Sequence, residues 1–334
     1  MRSVLDMDNN EMLNEMIENP QESIKSITVS DLSYSVLQPQ YFNQFVQEAT
    51  RDQTILAEAR RIVMTAQVCN IDRTGFSSRI MEVATEATAP TGVNPAFNQT
   101  QLTAKEFVGM VGITDNALRR NIEKEGFTST LISMASGKWG EDWEALAVFG
   151  DTAKTNLPAL LKSQDGWIKK CSNKLYGTGT NKDFDASSAT VSAVFKKMLA
   201  KYPKNYLKNR TNLRFYVGSE LFDDYIDEVG QRATVVGDDA TGNNIARPYK
   251  GIPVVEAPVL NDTDGTHASN GWGAKIAMLM DPNNMVYGIF HEVGIEPERQ
   301  AKLRKTDYVF SAESDQGFEN PGVGVVALYG IQKP

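Results

Sequence analysis

The chain has 334 residues, 41% of them hydrophobic and 23% charged, with a net charge of −8 and a pI near 5.0. That is ordinary globular material, long enough for two domains and a sizeable core. The acidic balance disfavours a dedicated nucleic-acid reader, whose footprint is a basic patch and a high pI; it is compatible with a shell that encloses DNA without gripping it.

In chain order, the first forty residues read as an arm. Leu5, Met12, Leu13, Met16 and Ile17 give a short helical stripe closed by Pro20. The segment ITVSDLSYSVLQPQ after it looks like extended chain crossing a surface. The acidic residues of MRSVLDMDNNEMLNEMIENP stand where a secretory signal would need an apolar core. No apolar run reaches the roughly eighteen residues of a membrane span. From Gln40 the spacing of Tyr41, Phe42, Phe45, Val46 and Ala49, continued by Ile55, Leu56 and Ala59, predicts helix, and RRIVMTAQVCNID predicts a strand.

The segment 75–150 is the most informative. Residues 74–89 are strand-compatible, and 97–113 carry Leu102, Ala104, Val108 and Met110 on one face. Between them, Pro90-Thr91-Gly92-Val93-Asn94-Pro95 is a cluster of turn formers. The pattern predicts an antiparallel ribbon whose arms, at about 3.4 Å per residue, reach about 50 Å, against a radius of about 20 Å for a compact chain of this length. An isolated two-stranded ribbon is marginal in water, so a neighbouring copy is the expected surface for it. Beyond it, Thr114 or Asp115 can cap a helix with Leu118 and Ile122 on its face, and Gly126 is a candidate break. Phe127, Leu131, Met134, Ala135, Trp139, Trp143, Leu146 and Phe149 then predict a helix of about 35 Å. In phase with other apolar residues, the two tryptophans read as core before they read as a stacking platform.

Residues 151–188 read as loop, with Asp165-Gly166-Trp167-Ile168 as an apolar island. Helices are predicted over 190–202 and 220–229, and strands at 213–217, 252–255, 274–280, 285–295, 302–311 and 322–331; the polar stretch 230–249 reads as an exposed loop or flexible hairpin. The class is α+β.

Motifs for chemistry are incomplete. His291 opens HEVGI, but Ile295 stands where a zinc-protease helix needs its second His. Asp262-Thr263-Asp264-Gly265 lacks the later carboxylates of a calcium loop. Gly177-Thr178-Gly179-Thr180-Asn181-Lys182 misses phosphate-loop spacing, and there is no Gly-x-Ser-x-Gly elbow. Cys69 and Cys171, far apart, give neither a disulfide framework nor a zinc site. His267 lies in a polar loop sequence, and the lysines of 196–210 alternate with apolar positions as on a solvated helix face. No catalytic, metal or cofactor residue is assigned, and the chain reads as a non-enzyme.

The order of these elements, with LQPQYFNQFVQEATRDQTILAEARRIVM at 37–64, VGITDNALRRNIE at 111–123, DWEALAVFGD at 142–151, Asp165-Gly166-Trp167, YKGIPVVEAP at 249–258 and GVGVVALYGIQ at 322–332, resembles the major capsid protein of tailed bacteriophages, a fold shared with encapsulins. The resemblance spans essentially the whole chain. It implies an N-terminal arm (1–40), an extended β-hairpin loop (75–104), a peripheral domain with a long spine helix (41–74, 105–150 and 286–334) and an axial domain (151–285).

It also implies a structural role: hexamers and pentamers of this chain closing into an icosahedral shell around double-stranded viral DNA, which the shell touches non-specifically. The portal protein is an implied partner, with a separate scaffolding or cement protein as a further one; the long helical N-terminal extension that serves some members as internal scaffold does not stand in this sequence, so scaffolding would come from a separate protein or from an extension removed before this N-terminus. No membrane is involved. The location would be the virion, and the host cytoplasm during assembly. Phe76, Ile80, Pro90, Phe97 and Leu102 are the candidate inter-subunit contacts. Some members join a loop Lys to a neighbour's Asn; Lys105 lies near the loop base, with nothing in the sequence to support such a bond. An encapsulin-type nanocompartment shell is the alternative.

Overall fold

A computed structural model describes residues 53–76, 79–81, 83, 86, 92–120, 125–231, 248–261, 272–273 and 275–333. The predicted arm and the stretch around Asp262 and His267 lie outside them, as do all of 41–52 and most of 230–249. In chain order the elements are α1 (Ile55–Glu58), β1 (Arg60–Val63), β2 (Val68–Gly75), β3 (Ala96–Thr103), β4 (Lys105–Thr114), α2 (Asp115–Arg120), α3 (Glu125–Phe149), α4 (Trp167–Lys170), β5 (Lys174–Thr178), α5 (Val191–Lys201), β6 (Arg214–Val217), α6 (Ser219–Gly230), β7 (Val254–Glu256), β8 (Ile276–Met280), β9 (Met285–Gln300), β10 (Lys305–Phe318) and β11 (Val325–Gln332). Three sheets result, with strand orders β1-β9-β10-β4, β5-β11-β8-β6-β7 and β2-β3.

The described residues fall into two compact units. One comprises Phe107–Ser136 and Val293–Ala312; the other comprises the described parts of Thr50–Glu106, Gly137–Glu292 and Glu313–Pro334.

In the second unit, period-two alternation builds the core. Strand β8 runs antiparallel to both β11 and β6, and all five of its residues are buried, so both faces of the sheet are covered. Ala277 and Leu279, with Phe215, Val217, Val325 and Ala327, pack against Val194, Phe195 and Met198 of α5 and Leu221, Tyr225 and Val229 of α6. Ile276, Met278 and Met280, with Tyr216, Val326 and Leu328, face the other way, onto Ala147, Val148 and Phe149 of α3 and Trp167 and Ile168 of α4. Successive strand residues point to opposite faces, which is why one strand serves two cores.

Two glycines explain the most distinctive sequence around α3. The Gly166 N–H donates to the Gly150 carbonyl at 2.8 Å, bringing two backbone segments side by side. A Cβ on Gly166 would stand 2.7 Å from the Gly150 nitrogen and 2.8 Å from the Ala147 and Val148 oxygens. The pair thereby seats Trp167, which is fully buried and donates its Nε1–H to the Gly317 carbonyl at 2.9 Å. Asp151 forms an ion pair with Lys169 at 3.0 Å, and Asp165 accepts from the backbone N–H and hydroxyl of Thr152, each at 2.8 Å.

In the first unit a small core gathers Ile113, Ala117 and Phe127, with Leu118, Leu131 and Tyr308 against it. Thr114 caps α2 as expected, its Oγ1 accepting from the Ala117 N–H at 3.3 Å. Asp115 takes both guanidinium prongs of Arg299, and Lys305 pairs with the fully buried Asp307 at 3.0 Å.

The helices and strands predicted beyond residue 190 appear within a few residues of their expected bounds, except that β9 and β10 run on to Gln300 and Phe318 where 295 and 311 were expected, and the predicted long helix is the 25-residue α3. Gly126 falls inside α3 rather than between helices. Strand β5 lies in a stretch read as loop; Gly177 within it leaves room for the Tyr329 carbonyl, 2.7 Å from where a Cβ would be. Of the helix predicted through residue 59, the described part is the single turn α1.

The ribbon differs most. Its arms are β2 and β3, paired antiparallel from Val68↔Thr103 to Gly75↔Ala96, not 74–89 against 97–113. Eight pairs span about 27 Å, roughly half the expected reach. The second arm is interrupted at Ala104, and beyond it Val108 and Met110 are exposed while Leu102 and Ala104 are buried. The four therefore do not share one buried face.

Candidate assembly surface

The β2–β3 ribbon has two faces of different character. Cys69, Ile71 and Leu102 turn inward and pack with Ile62, Met64, Ala104 and Val286. Leu102 is fully buried, and it fits because Gly288 and Gly317 carry no side chain: a Cβ on either would stand 3.0 or 2.8 Å from a Leu102 methyl. The opposite face, with Asn70, Asp72, Gln99 and Gln101, is exposed and polar.

Polar contacts fix the ribbon's base. Asp315 is buried and accepts from the Thr103 N–H at 2.7 Å and the Gln316 N–H at 2.8 Å, with the Lys170 ammonium 3.4 Å away. Buried Gln164 donates to the Ser314 carbonyl at 2.7 Å, and Trp143 Nε1–H donates to the Ser314 hydroxyl at 2.7 Å. The Trp143 ring meets Tyr287 edge-on at 5.1 Å, and burial pushes the Tyr287 phenol well above its ordinary range, keeping it protonated. The Ala104 N–H donates to the Gln67 carbonyl at 2.8 Å, Lys105 donates to the Ser163 carbonyl, and Arg73 reaches the Glu319 carbonyl at 3.3 Å. Charge-assisted bonds of this kind are the stronger ones.

Away from the base the surface is apolar and open. Phe76 is 55% exposed, Ile80 60% and Phe97 75%; Met81 and Val83 are nearly bare. Scattered exposed apolar residues are ordinary; here five large ones stand open on one ribbon and its connecting segment.

Among the sequence-predicted contacts, Phe76, Ile80 and Phe97 therefore sit on this open surface, and Pro90 lies outside the described residues. Leu102 is a correction. It is already covered by its own chain and offers a neighbour nothing, because it lies on the ribbon's inward face beside Met64 and Val286. Met81 and Val83, equally open, were not among the expected residues; the signal was present in Ile80-Met81-Glu82-Val83, where apolar residues stand on both sides of the alternation.

Two of the chemical motifs lie among the described residues, in settings that differ from what their motif needs. His291 and Ile295 lie in strand β9, whereas a zinc-protease pair needs a helix. Gly177 is inside β5, and Lys182 pairs with Asp185 at 2.8 Å, so that stretch is not a phosphate cradle between strand and helix. Cys171 is buried, which pushes its thiol up to about 11. Among the described residues, no group of three or more His, Cys, Asp or Glu is placed to hold a metal, and no helix is long and apolar enough to cross a membrane.

Solved structures decide what fold this is. The capsid of the cyanophage P-SCSP1u superposes with a TM-score of 0.61 over 98% of both chains at 13% identity. The chain has the phage capsid fold. The capsid of an empty GTA particle matches with a TM-score of 0.58, covering 91% of this chain and 99% of the other at 13% identity. In sequence, the Bacillus subtilis (strain 168) protein named "Putative prophage capsid protein YqbE" is 27% identical over 297 residues, 88% of this chain and 92% of that protein. No family model matches the sequence.

Proposed function

We infer that this chain is a structural capsid-shell protein that assembles with copies of itself. The observation that carries the reading is the open apolar surface of Phe76, Ile80, Met81, Val83 and Phe97, on a ribbon whose base is locked to its own unit. The capsid fold and the capsid relative support it. The ribbon's surface lies across a neighbouring copy, where burial of its apolar residues contributes about 25 cal/mol per Å² before association entropy is subtracted. Many such contacts, each modest, give a stable shell.

In finer terms, the copies form hexamers and pentamers of an icosahedral head around double-stranded DNA, joined by a portal protein and by a scaffolding or cement protein. The subunit is made in the host cytoplasm and ends in the virion. Division into an arm (1–40), an extended loop (75–104), a peripheral domain and an axial domain (151–285) belongs to the same proposal. The acidic chain suits it, because a strongly cationic lining would hold DNA that must later leave. A nanocompartment shell is not favoured, since the relative and the structures compared are phage, prophage or GTA capsids.

Electron microscopy of particles purified from producing cells, with nucleic acid read from their ultraviolet absorbance ratio, tests this directly. Icosahedral shells containing DNA are expected. Shells filled with protein cargo would move the reading to a nanocompartment, and small oligomers alone, with candidate scaffold present, would overturn it.

A further inference from the structure

The second unit carries two adjacent sequence blocks of opposite charge. From Lys196 to Arg214 there are seven Lys and Arg and no Asp or Glu; from Glu220 to Glu228 there are five Asp and Glu and no base. Among the described residues, Lys196, Lys204 and Lys208 are exposed and have no carboxylate partner, and Lys197, Lys201 and Arg210 donate to neutral backbone carbonyls rather than to a carboxylate. Tyr206, half exposed, stands in the middle of this block. Exposed aromatic and cationic groups together are the composition of protein contacts.

On the acidic side, Glu220 and Asp224 share Lys275 at 3.3 and 3.1 Å, and Glu228 accepts from the Ser192 N–H at the start of α5. Asp223 and Asp227 remain exposed, with no cation partner among the described residues. Asp227 lies in the last turn of α6, which contains no base. A carboxylate there opposes the helix dipole and repels its neighbours, so it does nothing for the helix itself.

We propose that the acidic face of α6 and the basic block Lys196–Arg210 are the two halves of a head-to-tail contact between copies of this chain. A ring contact joins two different patches of one chain, and these two are complementary in charge. A patch meeting its own copy would set like charge on like, so each patch must meet the other. The proposal rests on the shell reading above, and refines it by naming what holds successive copies around a ring.

The test is charge reversal and its complementation in the full chain. Asp223→Lys with Asp227→Lys makes one variant and Lys204→Glu with Lys208→Glu makes the other; all four side chains are exposed. Each variant alone is expected to stay folded by circular dichroism and give at least about tenfold fewer shells than wild type at low salt. Combined in one chain, the four reversals set opposite charges at every contact whatever the number of copies in a ring, and should recover shells. Normal assembly by either two-site variant overturns the contact, as does failure of the four-site variant to recover. Normal shells of the lysine variant with less packaged DNA would assign the basic block to DNA instead. If the wild type forms no shells, the shell reading itself fails, a result distinct from all of these.

Discussion

At Gly166 the fold has no room for a single carbon. A Cβ there would fall within van der Waals distance of three backbone atoms, none of which can rotate away as a side chain would. Gly166→Ala is expected to destabilise the unassembled subunit by about 3 kcal/mol, measured by urea denaturation. Gly75→Ala is the control: nothing lies within 4 Å of its Cβ position, so its effect should stay within about 0.5 kcal/mol. On the ribbon, Leu102 and Phe97 make a second contrast. Leu102→Ala empties a site closed by Met64, Val286, Gly288 and Gly317, and should cost about 3 kcal/mol of subunit stability. Phe97→Ser removes a ring that touches little of its own chain; it should leave denaturation within about 0.5 kcal/mol of wild type while sharply reducing shell yield in negative-stain images. Equal loss of stability in the two variants would show that Phe97 is held by its own subunit.

Among the elements, what was legible in the sequence depended on how local its cause was. The strands β6, β8 and β11 and the helices α5 and α6 follow from alternation and helical spacing over a few residues, and they appear close to their predicted bounds. Strand β5 was missed because Lys174–Thr178 is short and pairs in parallel with β11, some 150 residues away in the chain. The ribbon was expected, but its register was not readable. Residues 79–89 carry strand-forming side chains, yet pairing is set by what the base can bury: Cys69 opposite Leu102, and Ile71 opposite Thr100, over Met64 and Val286. The cluster of turn formers at 90–95 did not say that the pairing described would end at Gly75 and Ala96. The same distance effect hid the burial of Leu102, since the glycines that admit it, at 288 and 317, lie about two hundred residues away. The open residues Phe76, Ile80 and Phe97 were legible because large apolar groups beside turn formers have no local core to enter.

For the whole molecule, assembly and folding should be separable, and the register shows where to cut. A variant lacking all of 75–104 would also lose Thr103, whose N–H binds Asp315, and Leu102 and Ala104 from the core, so its failure could be one of folding. The cut that isolates assembly removes 76–95. Gly75 and Ala96 are paired across the ribbon, and a two-residue Asn-Gly turn closes that pair directly. The resulting chain keeps every residue of β2 and β3 and the polar contacts of the ribbon's base, while losing Phe76, Ile80, Met81 and Val83. It is expected to be a soluble subunit with the circular dichroism and urea midpoint of the wild type, eluting as a small species and forming no shells at concentrations where the wild type does. If it assembled into intact shells, the connecting segment would have no part in joining subunits; if it unfolded, the segment would belong to the subunit's own core, contrary to the exposure of its apolar side chains.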